Sequence, residues 1–144
     1  MTERDEDVLA WMRRTFEDIP VTRLLGARPV AWDAAAGRVT VRYEAKPEFC
    51  NLIGTVQGGI LTAMLDNVMA FAALCPLGPG HAVPTLEIKT TFVAPAKPGP
   101  LLGEATALRL GRSVAFLEGR LRAADGALLA VATSTAQVRR IAKA

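Results

Sequence analysis

Between Glu48 and His81 the chain carries one charged side chain, Asp66, and it falls in the middle of the most apolar run in the sequence. After Gly58-Gly59 come Ile60, Leu61, Ala63, Met64, Leu65, Val68, Met69, Ala70, Phe71, Ala72, Ala73 and Leu74, mostly good helix formers, with no Gly or Pro before Pro76. The pattern predicts one helix over about 58–74. Apolar residues occupy nearly every azimuth of that helix, so it should be wrapped by protein on most sides. A run of this length spans only roughly 22 Å and holds a charge, which argues against a membrane span.

A buried carboxylate without partners costs several kcal/mol even after relaxation, so Asp66 must be paired, hydrogen-bonded or open to a cleft. An acid capped by neighbouring hydroxyls and a catalytic acid both meet that demand. At the helix entrance, Gly58-Gly59 allows close approach of a ligand to the backbone, and the first-turn N–H groups carry partial positive charge with no intrahelical acceptor. Gly-Gly alone is an ordinary turn signal. The combination of a donor-rich helix entrance and a lone acid about two turns further along the same helix is what points to chemistry.

The length of 144 residues suits one domain, 1–144, with a core that needs no disulfide staples, and 51% hydrophobic content fits a globular chain. Met1 to Asp7 is acidic without an apolar stretch, so the expected location is the cytoplasm. Cys50 and Cys75 lie beside apolar runs outside any CxxC pattern and are expected to be buried thiols. With one histidine, His81, expected in an exposed loop, and no acidic cluster, no metal site is expected. A net charge of +3 carried by dispersed basic residues argues against nucleic acid and suits a polyanionic small molecule. Arg139, Arg140 and Lys143 read as solvated charges.

Thr2 and Asp5 form a capping-box pattern before Val8, Leu9, Trp11, Met12 and Phe16, predicting a first helix over about 4–17 whose aromatic residues pack on the domain. Six extended segments follow from period-two alternation and turn signals, at 27–32, 38–43, 85–93, 102–110, 113–122 and 128–138. Short turns between the later ones predict an antiparallel meander curled around the single buried helix, an α+β fold.

Asn51, Gly54, Gln57-Gly58-Gly59, Asp66 and Ala70 resemble the signature of the hotdog-fold acyl-CoA thioesterases of the phenylacetic-acid-degradation, or PaaI-like, type. In that family an Asn, then six residues later a His-Gly-Gly, then nine residues after the His an Asp bracket the start of the central helix. The spacing matches at Asn51, Gln57 and Asp66, and the departure is Gln57, where the family usually has His. The resemblance continues through Phe92-Val93-Ala94-Pro95-Ala96-Lys97 and Gly111-Arg112-Ser113, covering about 26–138. It implies a hotdog fold, dimers or tetramers of the chain, and hydrolysis of an aryl- or medium-chain acyl-CoA, with coenzyme A part of the substrate and no further cofactor.

Thioester hydrolysis needs a group that attacks the carbonyl or activates water, and donors aimed at the oxygen where charge develops. Asp66 suits the first role and the Gly59 N–H the second, with Gln57 and Gly58 shaping the loop. The resemblance implies that Asn51 orients water or the thioester, that Thr85 assists the lytic water, and that Arg112 and Ser113 contact the nucleotide or pantetheine. Asn51 as an ordinary loop residue and Thr85 as a plain strand threonine are the alternatives. An amide hydrogen-bonds but does not titrate, so Gln57 excludes a proton shuttle at that position. It also admits a rival reading, a non-catalytic acyl-CoA binder.

Overall fold

Alternation sets the sheet. Along β2 (Arg38–Ala45), Val39, Val41, Tyr43 and Ala45 are buried while Arg38, Arg42 and Glu44 face out, and along β6 (Val114–Ala123) Ala115, Leu117, Gly119 and Leu121 are buried against outward Phe116, Glu118 and Arg120. The computed structural model describes residues 1–142, and Lys143 lies outside them. The remaining main strands are β1 (Arg28–Asp33), β4 (Thr85–Phe92), β5 (Gly99–Leu110) and β7 (Leu128–Gln137), with a short pair, β3 (His81–Ala82) and β8 (Arg139–Arg140), beside them. Helix α1 (Glu3–Asp18), a short α2 (Pro20–Leu24) and the long α3 (Gly58–Leu77) complete the chain. A six-stranded antiparallel sheet against a central helix is the hotdog architecture expected above.

The strand order β1-β2-β5-β6-β7-β4 corrects the expected meander. Only the pair β1–β2 and the run β5–β6–β7 are neighbours in both sequence and sheet. The reason is α3, which lies across the sheet between β2 and β4 in sequence and delivers the chain to the opposite edge. β4 therefore pairs with β7, and β5 returns to pair with β2.

Helix boundaries follow local chemistry. The Thr2–Asp5 capping box forms, with Thr2 N–H donating to Asp5 Oδ2 at 2.9 Å and Asp5 N–H to Thr2 Oγ1 at 3.2 Å. α3 runs past Pro76 to Leu77, beyond the expected end at Leu74, because a proline in the last turn removes only one ladder bond and Gly78 N–H still closes on Leu74 O at 2.8 Å. The sequence reading missed α2, which Pro20 opens at a first helical position where its absent N–H costs nothing. His81 is half-buried in β3 rather than exposed in a loop, since β8 pairs over it. Cys75 is buried against Met12 Sδ at 3.3 Å, and burial pushes its thiol up to about 12.

The apolar bulk of α3 faces the sheet and α1. Met64, Leu65, Val68 and Met69 are fully buried, and Phe71 meets Phe16 at a centroid distance of 4.5 Å and Trp11 at 6.1 Å. The sheet admits the helix at two strand glycines. A Cβ on Gly119 would lie 2.9 Å from Met69 Cγ, and one on Gly103 would lie 2.9 Å from Tyr43 Cε2 and 3.4 Å from Val68 Cγ1. The chain wraps α3 on most sides, as expected, but leaves one stripe open. Gly59, Ala63, Asp66 and Ala70, which share a face at helical spacing, are exposed or half-buried, because no other element among the described residues covers that stripe.

Two outcomes follow. Gly119→Ala forces Met69 out of its rotamer and lowers unfolding stability by about 1–3 kcal/mol, measured by urea denaturation. The capping bonds hold the Asp5 carboxyl below its usual range, chiefly through Thr2. A lowered folded-state value adds stability above the unfolded value of about 4 and loses it as pH falls through the folded value. Thr2→Ala therefore lowers the melting temperature at pH 7, and the difference from the parent narrows towards pH 3.

Candidate active site

The entrance to α3 is built by a loop that spends its polar groups on itself. Asn51 Oδ1 accepts from Ile53 N–H at 3.1 Å and Thr55 N–H at 3.2 Å, and its Nδ2 donates to Thr55 Oγ1 at 3.1 Å. Gly54 takes a positive φ of 80° inside that turn, which an L side chain rarely adopts. Val56 N–H then donates to Ala96 O at 2.9 Å and Gln57 N–H to Phe49 O at 2.8 Å, fixing the helix entry. Gln57 O takes the N–H groups of Ile60 and Leu61, while those of Gly58 and Gly59 meet no acceptor among the described residues. Gly58 borders a cleft of about 320 Å³ lined also by Asn51, Thr55, Phe92 and Val93. A Cβ on Gly58 would lie 2.9 Å from the Phe92 ring, whereas nothing lies within 4 Å of one on Gly59. Gln57 itself is exposed and its side chain makes no bond among the described residues.

From there α3 runs alongside the edge strand β4, tied by hydroxyls. Thr62 Oγ1 bonds Thr90 Oγ1 at 3.0 Å, and Thr85 Oγ1 donates to Asp66 Oδ1 at 2.7 Å. Asp66 is thus hydrogen-bonded, as its place in an apolar run required, and half-exposed, since it sits on the stripe the chain leaves open. The Thr85 bond occupies one lone pair of Oδ1, and Oδ2 makes no bond among the described residues, so the carboxylate keeps an oxygen free to act as nucleophile or base.

The single chain does not bring these groups into one constellation. Gly59 and Asp66 lie on one face of α3 but seven residues apart, about 10 Å along the axis, too far for one thioester to touch both. Arg112 and Ser113 are exposed in the β5–β6 turn, where Ser113 O accepts Val138 N–H at 2.8 Å. Register through Ala136, which faces both Thr85 and Ala115, puts that turn at the Thr85 end of the sheet. Two groups result: Asn51, Gln57, Gly58 and Gly59 at one end of α3, and Asp66, Thr85, Arg112 and Ser113 towards the other.

The sequence reading missed the Thr62–Thr90 pair, although Thr62 precedes Asp66 by one helical turn. It also missed Tyr43, whose hydroxyl donates to Asn67 Oδ1 at 2.7 Å beneath α3. Burial, and secondarily the Asp66 charge, push the Tyr43 phenol well above its usual range.

Comparison with known proteins gives a consistent picture. Residues 53–130 match the model of the thioesterase superfamily. Acyl-coenzyme A thioesterase 13 of Homo sapiens is 32% identical over 121 residues, covering 81% of this chain and 80% of the relative. The crystal structure of a phenylacetic acid degradation-related protein of Ralstonia eutropha superposes with a TM-score of 0.82 at 38% identity, covering 90% of this chain and 98% of the other. The PaaI protein of E. coli shares the fold, with a TM-score of 0.78 at 19% identity over 93% and 94% of the two chains.

Proposed function

Because the chain belongs to the thioesterase superfamily and is a thioester hydrolase, we propose that it cleaves an aryl- or medium-chain acyl-CoA to the free acid and coenzyme A, with Asp66 as the acting carboxylate. The observation that carries this reading is the Thr85–Asp66 bond at 2.7 Å, which orients the one acid on an open helix stripe while leaving an oxygen of it free. The unpaired N–H groups of Gly58 and Gly59 suit the thioester oxygen, where such donors are worth about 3 kcal/mol each in the transition state. Asp66 either adds to the carbonyl carbon, expelling the coenzyme A thiolate and leaving an anhydride for water, or removes a proton from water as it adds. Both courses place the same demand on geometry. The open apolar stripe, with Ala63 and Ala70 leaving room beside Ile60 and Leu74, suits the acyl group.

The separation along α3 supports a site shared between two copies. Running two α3 helices antiparallel about a two-fold axis brings the Asp66 of one copy towards the Gly58-Gly59 of the other. The exposed edge of β4, with Leu86 at 62% and Phe92 at 51% exposure, lies beside the stripe and supplies backbone groups for the same contact. Arg112 and Ser113 then serve the nucleotide or pantetheine, and Asn51 the thioester with its remaining amide hydrogen. An exposed Gln57 can hydrogen-bond there but not titrate.

Two measurements test this. Asp66→Asn should lower kcat with several acyl-CoAs by about 10²- to 10⁴-fold, and undiminished hydrolysis would remove Asp66 from the mechanism. Gly59→Pro deletes one donor and pushes Gly58 from the helical region, while a proline in the first turn is otherwise tolerated. Co-expressing Asp66→Asn with Gly59→Pro should restore about a quarter of parental activity, since half of randomly assembled dimers hold one intact site. If each chain carries its own complete site, no activity returns.

A further inference from the structure

Tyr43 is the only tyrosine in the chain and heads the fully buried side chains by size. It rises from the inner face of β2, past the bare position at Gly103, to end on Asn67, the residue after Asp66. A phenol has one proton to place, and Asn67 Oδ1 is its only acceptor among the described residues. Ionisation is pushed well above the usual range, so the phenol remains a donor at any working pH. With its oxygen held, the amide must turn Nδ2 the other way. Nδ2 makes no hydrogen bond among the described residues and is not sealed in the interior, where Ser134 Oγ is the one buried unpaired side-chain atom described.

Asn67 lies about 100° round α3 from Asp66, on the flank of the open stripe. Its neighbours on that flank, Ile60, Ala63, Ala70 and Leu74, are apolar. Packing alone does not require the pair, since Phe and Leu would fill the same space and a buried hydrogen bond adds little net stability. What the pair provides is an amide donor in a fixed orientation beside the acid.

We propose that Asn67, oriented by Tyr43, is a specificity-determining residue whose Nδ2–H binds a hydrogen-bond acceptor a few bonds from the thioester carbon. This rests on the reading that the Asp66 stripe lines the cleft. A coenzyme A thioester offers such an acceptor in two places: an oxygen on the first carbons of the acyl chain, or the first amide carbonyl of pantetheine. Tyr43 is a positioning residue and Asn67 the group that touches substrate.

The test compares kcat/KM of the parent, Asn67→Leu and Tyr43→Phe for hexanoyl-CoA, 3-hydroxyhexanoyl-CoA and the hexanoyl thioester of ethanethiol. If the acceptor is on the acyl chain, Asn67→Leu loses about tenfold with the hydroxylated substrate alone; if it is the pantetheine amide, the loss falls on both coenzyme A esters and spares the ethanethiol ester. Tyr43→Phe shifts the same substrates in the same direction by a smaller factor. Equal effects on all three substrates, or none, would overturn the proposal, whatever happens to the melting temperature. Asn67→Ser, too short to reach Tyr43, replaces Asn67→Leu if the latter fails to fold. Undiminished hydrolysis by Asp66→Asn would sink the placement of the chemistry, a failure readable separately from these substrate ratios.

Discussion

The close seating of α3 on the sheet is the constraint from which the rest follows. A helix carrying Met64, Leu65, Val68 and Met69 on its inner side can lie this near only over small residues, and the inner face offers Gly103, Ala105, Ala115, Gly119 and Ala132 beneath it. The large side chains come from the helix and the small ones from the strands, so the two surfaces interdigitate closely. That seating sets the height of every polar group on α3. Thr62 and Asp66 meet hydroxyls on β4, and Asn67 meets the end of a tyrosine planted on β2, four strands further across the sheet.

The same seating explains why the acid is tolerable. A carboxylate at the centre of this run would be costly if the chain enclosed it, but the stripe through Gly59, Ala63, Asp66 and Ala70 stays open and Thr85 supplies a donor. The openness is also what leaves the monomer chemically incomplete. Donors at the helix entrance and the acid two turns on share a face but not a substrate's reach. On the proposed arrangement, the antiparallel copy resolves both facts at once, covering the apolar stripe and closing the distance between carboxylate and N–H.

Much of this was legible in the sequence because local rules governed it. The capping box at Thr2, the alternation of β2 and β6, the Asp125-Gly126 turn and the glycine pair opening α3 each fix structure within a few residues, and all formed. The spacing from Asn51 to Gln57 to Asp66 identified the family. What escaped was non-local. The transfer of β4 to the far edge depends on how α3 crosses the sheet, and the Tyr43–Asn67 bond joins residues 24 apart whose meeting requires the strand order. The openness of one α3 stripe escaped for another reason: hydropathy reports that a surface will be covered, not whether the same chain covers it. His81 shows the converse, a residue in a turn-rich stretch half-buried by a strand from the far end of the chain.

The account stands on the acid of one copy meeting a thioester whose oxygen rests on the glycine N–H groups of another. The most direct measurement is a crystal structure with an unreactive ketone analogue of an acyl-CoA, in which carbon replaces the thioester sulfur. The account predicts the ketone oxygen about 3 Å from a Gly58 or Gly59 nitrogen of one copy and the ketone carbon within about 3.5 Å of an Asp66 oxygen of its neighbour. A ligand held wholly within one chain, or a ketone carbon out of reach of every Asp66, would contradict it.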